Sequence, residues 1–597
     1  MKIVFKDSGK EAGKEAGKEA ELVKGRTILS YLQELGIEIN ASCGGEGKCG
    51  QCLVEVECVP GALSEKTEAE EKFVRKETSK HTQRLACQSR ILRTDEPVFV
   101  RVPRRTYFVL ESGEYKEIPL EPFVHCEGER VFWKWEDVGE CRGAIYGVAL
   151  DIGTTTLVVY LIDLESGEVV SVSSRENPQT KYGNNVISRI EFAKTKTGQE
   201  RLEREIRTAA SKMISELVNA NADPGRVYEI VVVGNPVMRD LFFGYSVESL
   251  GKSPYEPQSV EAVTKTAEEL GLGQGLGQGL GQGLGQGLEQ GLEQGVAVNP
   301  KTRVYGLPLI GSFVGADALA VVLATEIYKN PSEKICLAID IGTNTEIVLG
   351  NRDRLISTSS AAGPAFEGAG VSCGIGGVNG AVKDVKIKKI ENREGEGKYE
   401  VLFKTIGDAP PVGVCGSGLI DALAELLEEG IIDGRGKFKE GGREGREGRE
   451  GREGGGGEKE FRIAETERGK RISLSEKDID QLNLAKTAVA VGVKVLLEKY
   501  GGGLGVKDLD TVFLAGGFGN FVDTENAIKI GLLPAVEPEK VKKVGNAAVE
   551  GARQVLISKT KREDAEAVAK RIEHVKLEEE ENFMEIFVSE LYFQKYL

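Results

Sequence analysis

No run of eighteen consecutive apolar residues occurs anywhere in this chain of 597 residues, so no segment reads as a membrane-spanning helix. The N-terminus lacks a basic stretch leading into an apolar core, so no secretory leader is expected and the cytoplasm is the expected compartment. Positive charge is in deficit: 78 Lys and Arg stand against 94 Asp and Glu, a formal net charge of -16. That balance argues against a nucleic-acid groove or an anionic membrane surface as the main partner. A cytoplasmic chain also has little use for disulfides, so its ten cysteines do not read as a disulfide framework.

The chain is too long for one core, which predicts two to four domains, and 40% apolar residues suffice to pack them. The feature that organises the rest is the glycine-rich loop Cys43-Gly44-Gly45-Glu46-Gly47-Lys48-Cys49-Gly50-Gln51-Cys52, joined at a distance by Cys87 in Leu85-Ala86-Cys87-Gln88. Three thiols in one loop and a fourth returning later predict a [2Fe-2S] cluster held by Cys43, Cys49, Cys52 and Cys87. Glycines let backbone N–H groups approach cluster sulfurs, where hydrogen bonds tune the potential. Zinc, which prefers matched C-x2-C pairs, and disulfides compete less well. The spacing C-x5-C-x2-C departs from the plant-type C-x4-C-x2-C and resembles ferredoxins of the adrenodoxin and putidaredoxin kind. The other six cysteines, Cys58, Cys126, Cys141, Cys336, Cys373 and Cys415, read as small buried hydrophobes.

Residues 1–102 are expected to form this ferredoxin unit. Met1 to Asp7 alternates as a strand, with Glu21 to Val23 as hairpin partner; between them a Gly-Lys-Glu-Ala repeat over residues 9–20 reads as a solvated tip. Thr27 is expected to cap a helix through Leu35, and Ser64 the next one. With strands at Cys52 to Glu57 and Val98 to Val102, the order is that of a β-grasp. Residues 103–143, with both tryptophans, Trp133 and Trp135, read as a connector and natural hinge.

From residue 144 the pattern changes. Tyr146 to Asp163 reads as strand, tight turn and strand around Asp151-Ile152-Gly153-Thr154-Thr155. Nearly two hundred residues later Ile335 to Leu349 repeats the figure around Asp340-Ile341-Gly342-Thr343-Asn344, an internal duplication. An Asp at a strand end before a Gly-Thr turn can hold Mg²⁺ or orient water, while the turn offers donors to phosphate. Val512 to Asn520 runs a strand into Gly516 and Gly517, which leave room for a flat adenosine. Val233-Gly234-Asn235-Pro236, Gly311 to Ala318, Ala362 to Ala369 and Gly413 to Leu419 place small residues where cleft-lining turns belong. Repetitive inserts at 271–295 and 441–457 read as surface loops. Helices are expected at Gln481 to Tyr500 and Thr524 to Ile530, and a solvated helical tail beyond Lys559 followed by a more apolar end from Phe583.

Paired Asp-x-Gly-Thr turns with a terminal Ala-Gly-Gly resemble the acetate kinase, sugar kinase, Hsp70 and actin superfamily. The resemblance implies two RNase H-like halves, 144–330 and 331–597, with ATP between them. Together with the cysteine loop, the Asn177-Pro178-Gln179, Gly-Ser-Phe-Val-Gly-Ala-Asp, Ala-Gly-Pro-Ala-Phe-Glu-Gly-Ala and Cys-Gly-Ser-Gly-Leu-Ile-Asp motifs make the chain similar to the reductive activators of corrinoid proteins, nearly end to end. The resemblance implies a multidomain fold: a β-grasp ferredoxin unit, a connector and a duplicated actin-like ATPase. It also implies an ATP-dependent one-electron reduction of Co(II) to Co(I) in a corrinoid methyl carrier. Asp340 and Asp151 would serve Mg²⁺ or water, Gly153, Thr154, Thr155, Gly342, Thr343 and Asn344 would face phosphate, and Gly516 and Gly517 adenosine. The expected partners are the Co(II) corrinoid protein, an upstream low-potential electron donor and a second copy of the chain. Rival readings are an ATP-driven donor to another redox enzyme, a small-molecule kinase with a regulatory cluster, or a plain electron carrier.

Overall fold

In the computed structural model, described over residues 2–6, 18–35, 37, 47, 52–73, 82–101, 118–183, 185–219, 224–272, 298–391, 397–439, 459–467, 469–517 and 521–596, each chain segment's period sets its element. Alternating residues at the N-terminus make Lys2–Lys6 (β1), paired antiparallel with Lys18–Glu21 (β2). The repeat therefore supplies the partner strand, three residues earlier than expected. It can do so because β2 is a mostly exposed edge strand, where charge is tolerated and discourages further pairing. Ile28–Glu34 (α1) is capped by Thr27, whose Oγ1 accepts the Ser30 N–H. Leu53–Glu57 (β3), Glu68–Phe73 (α2), Thr82–Leu85 (β4) and Val98–Arg101 (β5) complete a sheet of order β2-β1-β5-β3-β4. The core of this β-grasp closes on itself, with Ile28, Leu29, Tyr31 and Leu32 of α1 buried among Ile3, Val54, Leu85, Val98 and Val100.

Two expectations change here. Strand β4 was not foreseen, and α2 is capped by Thr67 rather than Ser64. Thr67 Oγ1 accepts the Glu70 N–H at 3.3 Å while the Glu70 carboxylate accepts the Thr67 N–H at 3.0 Å, a reciprocal capping box. Ser64 Oγ instead accepts the Arg90 N–H.

The connector is a sheet of Val124–Glu127 (β6), Arg130–Trp133 (β7) and Glu136–Glu140 (β8). Its tight hairpins bring the ends of β6 and β8 together, and Cys126 and Cys141 form a disulfide; they are not free buried hydrophobes. Cys336 and Cys415 are buried, Cys58 and Cys373 half-buried. Trp133 Nε1 donates to Glu229 at 2.9 Å, while Trp135 is exposed.

The duplication appears as two sheets built alike. The first contains Tyr146–Ile152 (β9), Thr156–Asp163 (β10), Val169–Glu176 (β11), Val227–Gly234 (β12), Val263–Thr266 (β13) and Arg303–Gly306 (β14), in order β11-β10-β9-β12-β14-β13. Val186–Ala193 (α3), Lys196–Asn219 (α4) and Pro236–Phe243 (α5) pack on it, and Ala316–Thr325 (α6) leads into the second half. There Ile335–Ile341 (β15), Thr345–Gly350 (β16) and Leu355–Ser360 (β17) repeat the antiparallel meander of β9–β11. A hairpin, Ala381–Glu391 (β18) and Gly397–Thr405 (β19), joins Gly413–Val414 (β20) in a separate sheet before Gly416–Glu428 (α7). Glu460–Glu465 (β21) and Arg471–Ser475 (β22) precede Glu476–Tyr500 (α8), capped by Ser475. Leu509–Ala515 (β23) and Val541–Gly545 (β24), with Thr524–Lys529 (α9) between them in the chain, join the second sheet, whose order with Ile572–His574 (β25) is β24-β23-β15-β16-β17-β25.

The tail is not a solvated helix. Ala547–Ile557 (α10) and Lys559–Ala569 (α11) bury Leu556, Ile557, Ala565 and Val568 in a core shared with α6 and β9, Ile572–His574 (β25) joins the second sheet, and Phe583–Glu590 (α12) packs on α8. Its charged composition misleads because Lys561 and Arg562 are buried as ion pairs with Glu326 and Glu229. Leu272 of the second insert is also buried; positions 273–295 and 441–457 lie outside the described residues, as do 9–17. Among the described residues no helix is long and apolar enough to cross a membrane.

Candidate functional site

Two sites emerge. The first is set by strand register. Leu53 of β3 pairs with Leu85 of β4, which sets Cys52 beside the turn that carries Cys87. The Ala86 N–H donates to the Cys52 carbonyl at 2.8 Å, and the Cys87 N–H points at Cys52 Sγ at 3.5 Å. Both thiols are buried. Gln88 Nε2 donates to Cys87 Sγ at 3.5 Å. The turn is anchored from behind by Glu70, which accepts from the Leu85 N–H and from Arg84 and Ser89. Gly47 has φ +74°, and a Cβ there would stand 2.9 Å from Ala69 Cβ and from Gln88 Cδ, so only glycine fits at this closeness. Two adjacent buried thiols receiving N–H groups, with Gly47 packed against Gln88, fit an iron-sulfur cluster. Cys43 and Cys49 lie outside the described residues. Among the described residues no three His, Cys, Asp or Glu side chains converge on a metal position.

The second site lies between the two sheets. Asp151 ends β9 and Asp340 ends β15, each followed by a turn that its glycine closes: the Gly153 N–H donates to Thr156 O and the Gly342 N–H to Asn344 O. These two amides are used within the turns. The turns meet: Thr155 and Thr343 share a hydrogen bond of 2.9 Å between their hydroxyls, across 188 residues of sequence. Thr343 also donates to Glu367, 3.3 Å from each oxygen, and Asn235 Nδ2 donates to Thr154 Oγ1 at 3.0 Å. Asp340 pairs with Ala515 across β15 and β23, which puts Gly516 beside the second turn. At φ +106°, Gly516 lies so close that a Cβ would stand 2.4 Å from Ile341 O and 3.2 Å from Asp340 Oδ1. The space over Gly517 is open. Phe518 to Asn520 fall outside the described residues.

The electrostatics of the cleft come from carboxylates crowded away from water. Burial, with Asp317 and Glu367 nearby, pushes Asp340 up to about 7. Burial pushes Asp317 up to about 6 against the hydrogen bond it accepts from its own helix start. Asp151 is driven well above the carboxylate range by burial and then by Asp317 and Asp340, with the Asn546 amide opposing. Glu346 is raised by burial and the same two aspartates, and Glu367 by burial against its threonine hydrogen bonds. Like charges in low dielectric disfavour joint ionisation, and a divalent cation would relieve that cost.

Asp317, Glu346 and Glu367 were not singled out from sequence. Asp317 and Glu367 sit inside motifs recognised only as cleft-lining turns, and Glu346 two residues beyond the second turn; the fold brings them within electrostatic reach of Asp340.

A ferredoxin-type cluster unit followed by a duplicated sheet domain with a carboxylate-lined cleft defines an iron-sulfur protein with an ASKHA-type domain. Residues 11–92 match the 2Fe-2S iron-sulfur cluster binding domain, 146–276 the RACo middle region and 334–596 the C-terminal domain of RACo, the ASKHA domain. The chain is 30% identical to the corrinoid activation enzyme RamQ of Eubacterium limosum over 619 aligned residues, covering 93% of this chain and 94% of that one. It is 28% identical to the [Co(II) methylated amine-specific corrinoid protein] reductase of Methanosarcina barkeri, covering 75% and 77%. A solved reductive activator for corrinoid, iron-sulfur protein superposes with a TM-score of 0.67 at 28% identity, covering 99% and 98%. The chain belongs to the family of reductive activators of corrinoid proteins.

Proposed function

We propose that this chain is an ATP-dependent reductive activator that returns the Co(II) of a corrinoid protein to Co(I) by one-electron transfer. The observation that carries the reading is the presence, in one chain, of a thiol site built by β3 and β4 and a carboxylate cleft whose two turns touch through Thr155 and Thr343. Cys43, Cys49, Cys52 and Cys87 would hold a [2Fe-2S] cluster, which supplies a one-electron carrier when bound. Each 59 mV of uphill transfer costs about 1.4 kcal/mol for one electron, so a source of energy is needed when the acceptor lies below the donor.

Mg-ATP in the cleft would supply it. Asp340 and Asp151 would face Mg²⁺ through water, as suits a cation that keeps several waters and takes one or two carboxylates. The hydroxyls of Thr154, Thr155 and Thr343 and the turn at Asn344 would meet phosphate oxygens, with Gly153 and Gly342 shaping the turns. Gly516 and Gly517 would line adenosine. Asp317, raised to about 6, is suited to accept a proton from attacking water near neutral pH. Phosphate must part the Thr155–Thr343 pair to bind, so the nucleotide changes what holds the halves together and binds two conformations unequally. We place the protein in the cytoplasm, fed by a low-potential donor and working as a homodimer, with domain limits at 102, 143 and 330.

The test mixes the protein anaerobically with a reductant and a Co(II) corrinoid protein, with and without Mg-ATP, and follows the Co(I) absorbance. Co(I) appearing only with ATP supports the reading; ATP hydrolysis and cluster reduction without Co(I) would move the acceptor to another redox protein.

A further inference from the structure

The cluster unit touches the second half of the ATPase-type domain beside Cys87. A cavity of about 260 Å³ lies between them, walled on one side by Thr27, Cys87, Gln88 and Arg90 and on the other by Lys383, Gly407 and Asp408. Arg90 and Asp408 form an ion pair at 3.7 Å across its mouth, with both side chains largely exposed. Gln33 Oε1, buried and without a hydrogen-bond partner, lies 2.9 Å from where a Cβ on Gly407 would stand. The contacting loop, Ile406–Asp408, holds two successive residues in the left-handed region, Gly407 at φ +70° and Asp408 at φ +53°. Left-handed conformations outside glycine persist where their surroundings or function require them.

The cluster unit closes its own apolar core, and the Arg90–Asp408 ion pair that joins it to the second half is exposed, unlike the buried apolar contacts that dominate permanent assemblies. The contacting loop ends β19, and the chain returns through β20 to Cys415 and the glycine-rich start of α7; Val414 bridges to Gly374, and the Val414 N–H donates to Cys373 O.

We propose that loop 406–408 is a latch for the chain's own cluster unit: docked, it covers the Cys87 edge, and it must release before that edge can meet an electron-accepting protein. The proposal rests on the assignment of Cys87 as a cluster ligand, but not on ATP or a corrinoid partner.

The experiment uses full-length, cluster-loaded protein. Hydrogen exchange is followed in segments 27–33 and 405–412, and the dithionite-reduced protein, freed of excess reductant, is mixed with ferric cytochrome c, each haem taking one electron to become ferrous. Asp408→Lys should raise exchange in both segments and the rate of haem reduction by about fivefold, since exposed pairs contribute up to about that factor. Asp408→Asn, which tolerates the left-handed backbone, should give a smaller rise. The swapped pair Arg90→Glu with Asp408→Lys should return both readouts toward the parent. Unchanged exchange in Asp408→Lys, faster exchange without faster haem reduction, or a swap that fails to restore either would each overturn the latch. Loss of the cluster spectrum after Cys87→Ser, run alongside, checks the ligand assignment separately.

Discussion

The two Asp-x-Gly-Thr turns share a sequence figure and a sheet position, yet their surroundings differ. The first is clamped. Asn177 Nδ2 donates to Gly153 O at 2.8 Å, Arg189 to Thr154 O at 2.5 Å, Asn235 to Thr154 Oγ1, and Asn546 reaches the Asp151 carboxylate at 3.4 Å. Arg189 is fully buried, donating as well to Gly183 O and Gln179 Oε1. The second turn is held differently: the Gly363 N–H donates to Thr343 O at 2.8 Å and the Thr343 hydroxyl to Glu367, while among the described residues no hydrogen-bond donor reaches the Asp340 carboxylate, which has Asp317 and Glu367 nearby. Duplication thus supplied two like frames, and the side chains packed around them gave the first aspartate an amide partner and left the second among other carboxylates.

If that division holds, the halves should respond unequally to the same substitution. Asp340→Ala should lower ATP-dependent Co(I) formation by at least about 100-fold, since a cation-positioning group acts directly in the hydrolytic step. Asp151→Ala should lower it by only about 10-fold, measured in the same absorbance assay; equal losses would erase the distinction. Arg189→Met should cost about 2–4 kcal/mol of stability by stranding buried carbonyls while leaving the second turn's response to Mg²⁺ intact, as read by denaturant unfolding and calorimetry. Thr343→Val breaks the hydroxyl contact between the turns and should raise the KM for ATP by about 5–10-fold, the value of one hydrogen bond.

The smallest effect is in the pH dependence. Unfolded, Asp340 loses its proton near the ordinary value of 3.8; folded, it keeps it to about 7. Between those values the folded state binds more protons, so stability contributed by this group is present below 3.8 and declines as pH rises to 7. Asp340→Asn should therefore raise the Tm of the nucleotide-free protein by on the order of 1–3 °C at pH 8 and by nothing near pH 4. The same proton must leave before a cation binds, so Mg²⁺ affinity should weaken below pH 7 in the parent and lose that dependence in the variant. A parent curve flat between pH 6 and 8 would contradict the placement of Asp340 among its carboxylate neighbours.

Much was legible in local pattern. A thiol loop, two strand-turn-strand figures and the long helix before Tyr500 follow from residue type at short spacing, because alternation, glycine turns and caps act over a few residues. The misreadings share a cause. The tail after Lys559 looked solvated because Lys561 and Arg562 have their partners, Glu326 and Glu229, more than two hundred residues away. Cys126 and Cys141 looked like independent hydrophobes because only the hairpins of β6–β8 bring them together. The repeat looked like a pure tip because charge on an exposed edge strand carries no alternating apolar signal.

Sequence alone carried the local patterns: four cysteines in a ferredoxin-like spacing, paired aspartates before Gly-Thr turns, and glycines after a buried strand, each legible because it is a spacing of a few residues. Tertiary structure alone decided which of these groups meet. Strand register set Cys52 beside Cys87, the packing of the two halves joined Thr155 to Thr343, and burial, with Asp317 and Glu367 nearby, raised the affinity of Asp340 for a proton. Proximity between distant residues depends on how the cores pack, and no short window of sequence encodes it.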